Sequence, residues 1–356
     1  MKLQFVLEKY GIRPRGNFPF SYFSMGNEVF FLRDEKKNRR LVLKNCLKNR
    51  SRDLLAVEAR VIDHLRAHGC GAPEVVPALD GSPFVEYNGD FWIMYGHLKG
   101  RTPTWRTRLR TWHLRGAVTG LATYHKAISN LDPAVDTGRI RSYQHDRVLA
   151  WTEALAAELA ADTSGRTSVD KMRTLIPAYV DLARSMADLL PAEAVARCEE
   201  LMIHGDFHSF NSMYRGFRFS ACFDFDFLRR DLKLADVVWT LRFIQNRFYR
   251  KRYGEAVRKP GFEAPLDEVR QIEAQALLWF VKVYNRTYRL TRDEVALLPG
   301  MQAALALYNL RFFSLKHSEE ECLDHHGWFD WQLKKIQRTE EAYRAAVDDV
   351  LKDGSW

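Results

Sequence analysis

Residues 201–227 restrict the fold of this chain more than any other segment. Long helical periodicities flank them on both sides, yet the segment itself reads as strands. An apolar run, Leu201-Met202-Ile203, stops at His204-Gly205 and hands Asp206 to a loop. Asn211 follows five residues later, and a second apolar run, Phe219 to Phe223, delivers Asp224 and Asp226. Taken singly, each polar residue reads as a turn cap or an exposed strand end. Taken together, two acidic loops on adjacent strand ends converge on one place.

The rest of the chain has two textures. Phe18 to Leu32 is rich in aromatic and branched residues, with Gly26-Asn27 as a turn, and Leu41-Val42-Leu43-Lys44 reads as a second strand. An amphipathic helix begins at the capping residues Ser51-Arg52-Asp53 and ends at Gly69. Strands over Phe84–Tyr87 and Phe91–Tyr95 are split by the Asn88-Gly89 turn. After Gly100 helical patterns dominate, over Arg108–Ile128, His145–Ala160 and Ser168–Leu189, and a further helix is expected over Asp231–Phe243. The fold class is therefore α+β: a small β-rich lobe, residues 1–98, before a large, mostly helical lobe, residues 99–356.

At 356 residues, 46% hydrophobic and 28% charged, the chain has an ordinary globular balance. Its net charge of +9 favours anionic partners without choosing among them. Cys46, Cys70, Cys198, Cys222 and Cys322 are scattered, odd in number and without a CxxC pair, which argues for reduced thiols and a cytoplasmic location. Met1 to Tyr10 reads as a short amphipathic helix without a signal peptide's apolar core. No apolar run approaches the ~20 residues that cross a bilayer, so no membrane partner is expected.

Phosphoryl transfer from a nucleotide asks for a carboxylate that orients a hydroxyl and takes its proton, and for hard oxygen ligands that hold a divalent cation against the phosphates. Asp206, Asn211 five residues on, and Asp224 at the end of the next strand form such a set. The pattern His-Gly-Asp, four residues, Asn, followed by Phe-Asp-Phe-Asp, resembles the aminoglycoside phosphotransferase and choline kinase superfamily, nearest to its type II homoserine kinase-like and spore-coat kinase-like members. That resemblance implies a bilobal protein-kinase-like fold and a cytoplasmic enzyme using ATP and Mg²⁺.

By resemblance, Asp206 is the catalytic base, Asn211 and Asp224 are magnesium ligands, and His204 is a scaffold residue. Asp226 has two readings, a second metal ligand or a support for its neighbour. His208 also has two, a part of the substrate pocket or a loop residue hydrogen-bonded in place. Lys44 is similar to the family's phosphate-gripping lysine, and Glu58, fourteen residues later on the amphipathic helix, is expected to pair with it. Gly26 and Asn27 stand where a phosphate-covering hairpin belongs, with Ser24 beside them. Met94 to Leu98, including Tyr95 and His97, resembles the hinge whose backbone binds adenine. His125 and Asp236 resemble residues that brace the catalytic loop, and Tyr284 to Pro299 is similar to a helical segment of the homoserine and spore-coat relatives.

The implied activity moves the γ-phosphoryl group of ATP onto a hydroxyl of a small molecule: an amino alcohol, a hydroxy amino acid, a sugar or an aminoglycoside. The alternative is a spore-coat-like pseudokinase with a binding or structural role. A protein kinase fits less well, because no APE segment follows Asp224 and the next helix begins early. The basic, aromatic stretches Trp105–Trp112 and Asn246–Tyr253 read as helices with solvated faces rather than RNA contacts. Cys322, His325 and His326 read as a surface turn, not a zinc site, and Trp328, Phe329 and Trp331 as packing of the last helix. Oligomeric state is not legible.

Overall fold

The strand-rich opening and the helical remainder expected from the sequence are both present in the computed structural model, which describes residues 2–16, 20–21, 27–47, 51–104, 107–258 and 262–356. The chain forms two units, one from Met1–Gly138 with His204–Arg229 and one from Arg139–Ile203 with Arg230–Trp356. In chain order the first unit supplies α1 (Lys2–Lys9), β1 (Phe20–Ser21), β2 (Glu28–Arg33), β3 (Arg40–Asn45), α2 (Arg52–Ala67), β4 (Phe84–Tyr87), β5 (Asp90–Gly96) and α3 (Thr111–Ile128). The chain then enters the second unit for α4 (His145–Ala161), α5 (Thr167–Arg184), the short turns α6 (Met186–Leu189) and α7 (Ala192–Val195), and β6 (Glu200–Ile203). It returns to the first for a 3₁₀ turn (Ser209–Asn211), β7 (Ser212–Arg215) and β8 (Arg218–Cys222). It finishes with β9 (Arg229–Leu232), α8 (Leu234–Tyr253), α9 (Leu266–Tyr284), α10 (Arg292–Ala296), α11 (Leu298–Asn309) and α12 (Glu319–Asp353). The first unit thus holds residues 1–98, expected as the small lobe, together with residues 204–227 of the strand-rich segment.

Five antiparallel strands form the main sheet of the first unit in the order β1-β2-β3-β5-β4. Side chains alternate across a strand, and here the alternation separates packing from chemistry. Leu32, Leu41, Leu43, Trp92 and Met94 share a core with Val6, Leu7 and Tyr10, whose hydroxyl donates to the Trp92 carbonyl at 2.8 Å. Val42 and Lys44 take the other parity, with Tyr95 and Ile93 opposite them on β5. Helix α2 starts at Ser51, whose side chain accepts from the Leu54 amide, and buries Leu55, Glu58, Ile62 and Leu65 along one face. The three- and four-residue spacing thereby carries Glu58 inward. The β4–β5 hairpin closes on Asn88 and Gly89, at φ 51° and 76°, the conformations that an Asn-Gly turn supplies.

Several boundaries differ from the expectation. The helix expected from Arg108 begins at Thr111, because the extended Arg110 donates its amide to His113 Nδ1 at 3.0 Å and so caps the turn. The helix expected over 168–189 breaks at Ser185, whose hydroxyl turns back onto the Leu182 carbonyl at 2.9 Å. The segment expected to open a helix at Asp231 is instead a buried strand paired with β6, and α8 starts at Leu234. There the Asp231 carboxylate accepts from the Ser142 amide and hydroxyl, at 3.0 and 2.9 Å. Cys322, His325 and His326 lie on a helix rather than a turn, since Ser318 and Glu321 form a capping box that starts α12.

In the second unit the last helix packs on α9 and α5, with the Tyr179 hydroxyl donating to the Phe329 carbonyl at 2.9 Å. The stretch 246–253 is the end of α8, where Tyr249 and Arg252 bind Glu273 and Glu268 of α9. All five cysteines are free, and among the described residues no helix is long and apolar enough to cross a membrane.

Candidate active site

The loop after β6 is shaped by Gly205. It sits at φ +79°, and a Cβ there would lie 2.3 Å from the Phe227 carbonyl oxygen, so only glycine fits. His204, fully buried, places Nε2 3.2 Å from the Phe223 carbonyl and ties this loop to the segment after β8. It is a scaffold group, set among the rings of Tyr124, Phe207 and Phe225.

Asp206 is held from two sides. Asn211 Nδ2 donates to its carboxylate at 2.9 Å and to its backbone carbonyl at 3.0 Å. His208 Nε2 lies 3.3 Å from the other carboxylate oxygen. His208 is itself buried, and its Nδ1 accepts from the amides of Phe210 and Asn211, both at 3.2 Å. An Nδ1 that accepts leaves the proton of a neutral ring on Nε2, facing Asp206. Of the two sequence readings for His208, its contacts match the residue hydrogen-bonded in place.

Asn211 links this loop to the next. Its backbone carbonyl accepts from the Phe223 amide at 3.1 Å, immediately before Asp224. Asp224 adopts φ +69°, a left-handed conformation rare outside glycine, which marks a position held by its surroundings. Its side chain is 41% exposed, and one oxygen lies 3.4 Å from Lys44 Nζ. Asp226, two residues on, is 3% exposed and fully engaged: one oxygen forms a close ion pair with Lys44, and the other accepts from Asn27 Nδ2 at 2.5 Å. Burial opposes the Lys44 charge, but Asp226, then Asp224 and Glu58, outweigh it and hold the ammonium well above the ordinary lysine range.

The expected direct pair of Lys44 with Glu58 is absent. Glu58 is buried and its carboxylate accepts from the Tyr95 hydroxyl instead. Burial raises its carboxyl above the usual range, with Lys44 pulling the other way. Tyr95 therefore contributes its side chain, where the resemblance to a hinge implied its backbone. The parity of β3 and β5 carried that signal, since Tyr95 and Lys44 share a face. In the hinge, the Gly96 amide donates to Glu74 at 2.8 Å and the His97 amide to Arg40 at 3.1 Å. His97 is exposed, its ring edge-on to Phe31 at 6.2 Å. Asn27 is brought to Asp226, whereas Ser24 and Gly26 lie outside the described residues.

The donor set fits a divalent cation that also takes oxygens from a nucleotide. Asn211 commits its amide nitrogen to Asp206, which leaves Oδ1 for a hard cation, and Asp224 offers an exposed carboxylate. Asp226 fits less well, because both of its oxygens are taken. Among the described residues no group of three His, Cys, Asp or Glu side chains forms a metal cage of its own, and Cys322, His325 and His326 form none.

Residues 23–274 match the profile of a phosphotransferase enzyme family, and the chain belongs to that family. With its kinase-like solved neighbours, this places it in the aminoglycoside phosphotransferase and choline kinase superfamily that its catalytic motif resembles. An amicoumacin kinase, solved with AMP-PNP, Ca²⁺ and Ami, is similar over 95% of this chain and 94% of its own, with a TM-score of 0.63 and 16% identity. A microcompartment-associated aminopropanol kinase is similar over 97% and 99%, with a TM-score of 0.66 and 15% identity. A spectinomycin phosphotransferase, solved with ADP and its antibiotic, covers 96% and 98%, with a TM-score of 0.60 and 12% identity. At these identities the likeness is one of fold. No curated protein sequence matches the chain.

Proposed function

We propose that this protein is an ATP-dependent kinase that transfers the γ-phosphoryl group to a hydroxyl of a small molecule. One observation carries the reading: Asp206, Asn211, Asp224 and Lys44 are joined through a single run of contacts, Asp206 to Asn211, Asn211 to Phe223 beside Asp224, and Asp224 to Lys44. Residue types that phosphoryl transfer requires are thus drawn together from four elements. Family membership and the nucleotide-bound neighbours support the same reading.

In this mechanism Asp206 receives the acceptor hydroxyl, orients it toward the γ-phosphorus and takes its proton as the new P–O bond forms and the bond to the departing ADP oxygen breaks. Asn211 and His208 fix the carboxylate on two sides, so its approach to the hydroxyl costs little reorganisation. Lys44 binds phosphate oxygens, and Asp226 holds Lys44 in place while Asn27 ties the end of the phosphate-covering hairpin to the same carboxylate. Asp226 therefore acts on the lysine rather than on a second cation. A magnesium ion held by Asn211 and Asp224 would neutralise charge on the phosphates. Because the Gly96 and His97 amides are committed, we assign the base contact to Leu98, the next amide of the hinge.

The test is nucleotide consumption by the purified protein with magnesium against a panel of amino alcohols, hydroxy amino acids, sugars and aminoglycosides. ADP formation that depends on one class of acceptor supports the reading and names the class. Nucleotide binding without turnover on any acceptor favours the pseudokinase alternative.

A further inference from the structure

The net charge of +9 is not spread along the chain. Residues 91–131 contain seven Lys or Arg and no Asp or Glu, and residues 212–223 contain two and none. Seven and two make up the whole excess, so the remainder of the chain is electrically balanced.

These two segments pack on each other in the first unit. Arg101 and Tyr214 exchange backbone hydrogen bonds at 2.9 and 2.8 Å. Arg215 Nε donates to the Lys99 carbonyl at 3.1 Å, and the Tyr214 hydroxyl to the His113 carbonyl at 2.9 Å. Lys99, Arg101, Arg110, Arg115, Arg215 and Arg218 are all exposed, and among the described residues none is in an ion pair. Unpaired cations on segments that carry no carboxylate create a field that an anionic surface relieves. At the turn between β7 and β8, Gly216 adopts φ +59° and Phe217 stands 73% exposed, its ring edge-on to Trp112 at 5.3 Å. Arg215 and Arg218 flank it in sequence.

We propose that the β7–β8 hairpin and the start of α3 form a docking surface for an anionic lipid bilayer. The cations attract the headgroups, and Phe217 enters the boundary between headgroups and acyl chains. One protruding apolar ring collared by arginines suits that boundary. A nucleic-acid strand would ask for a groove with several stacking platforms. Such a surface would lie on a membrane, and among the described residues no helix is long and apolar enough to cross one.

Sedimentation of the full-length protein with lipid vesicles tests this. Binding is expected to vesicles of phosphatidylcholine mixed with phosphatidylserine, to be lost at high salt, and to be absent with phosphatidylcholine alone. Replacing Arg215→Ala and Arg218→Ala together should weaken binding about 25-fold, roughly five-fold for each charge. Phe217→Ser should weaken it at every salt concentration, while nucleotide turnover in solution is unchanged in these variants. The salt dependence of the wild type carries the test should the double variant fail to fold. Equal binding to both vesicles, binding to neither, or tighter binding to a single-stranded oligonucleotide than to the mixed vesicles overturns the proposal.

Discussion

Lys44 and Asp226, 182 residues apart in sequence, meet as a buried ion pair whose side chains are 7% and 3% exposed. The second oxygen of Asp226 accepts from Asn27, so a single carboxylate ties the lysine of β3 to the residue that leads into β2.

Removing one member of a buried pair leaves the other charge uncompensated, at a cost of about 3–5 kcal/mol. Lys44→Met is therefore expected to lower the thermal unfolding temperature markedly, and Lys44→Met with Asp226→Asn to recover much of the loss. Thermal unfolding of these two variants and of Asp226→Asn alone checks this. A double variant as unstable as the sum of the singles would mean that the two groups do not support each other.

Asn27 and Asp226 should also couple in nucleotide binding. Groups that share one hydrogen-bond network depart from additivity by about 0.5–3 kcal/mol. ADP affinity, measured by calorimetry without a divalent cation, should fall in Asn27→Ala and in Asp226→Asn, with the double variant little worse than either single one. If Asp226 chiefly bound a metal, Asp226→Asn would leave metal-free affinity untouched and raise only the magnesium requirement.

Glu58 gives a pH dependence. Burial, against the pull of Lys44, raises its carboxyl in the folded state. The folded protein then holds this proton more readily than the unfolded chain, so the contribution is full below the ordinary carboxylate value and is lost as pH rises through the raised one. Glu58→Gln carries no such loss. The stability of the variant relative to wild type should increase as pH rises above the ordinary carboxylate value of about 4.3. A difference in unfolding temperature that stays flat above that value would contradict the assignment.

Gly205→Ala should be poorly tolerated, since both the left-handed backbone and the 2.3 Å approach of Phe227 exclude a Cβ. Strain of this kind costs about 1–3 kcal/mol. Denaturant unfolding that matches wild type would show that the loop can rearrange.

Much of the site was legible because its residues lie close in sequence or at fixed parity. The spacing from Asp206 to Asn211, the strand end at Asp224 and the inward face of α2 at Glu58 all follow from local periodicity. Partner choice was not legible. The family resemblance paired Lys44 with Glu58, whereas Asp226 and Asp224 reach the lysine across 180 or more residues and Tyr95 takes Glu58. Elements were lost where a long-range contact overrode local pattern. Arg229–Leu232 is a strand because β6 pairs with it and Ser142 satisfies the Asp231 carboxylate.

The central claim is that Asp206 performs the proton transfer, and Asp206→Asn tests it most directly. The amide keeps the size of the side chain but cannot take the acceptor proton. With the acceptor identified from the panel, ADP affinity is expected to match wild type while the rate of phosphoryl transfer falls ~10²–10⁴-fold. A variant that transfers phosphate at the wild-type rate would contradict the account.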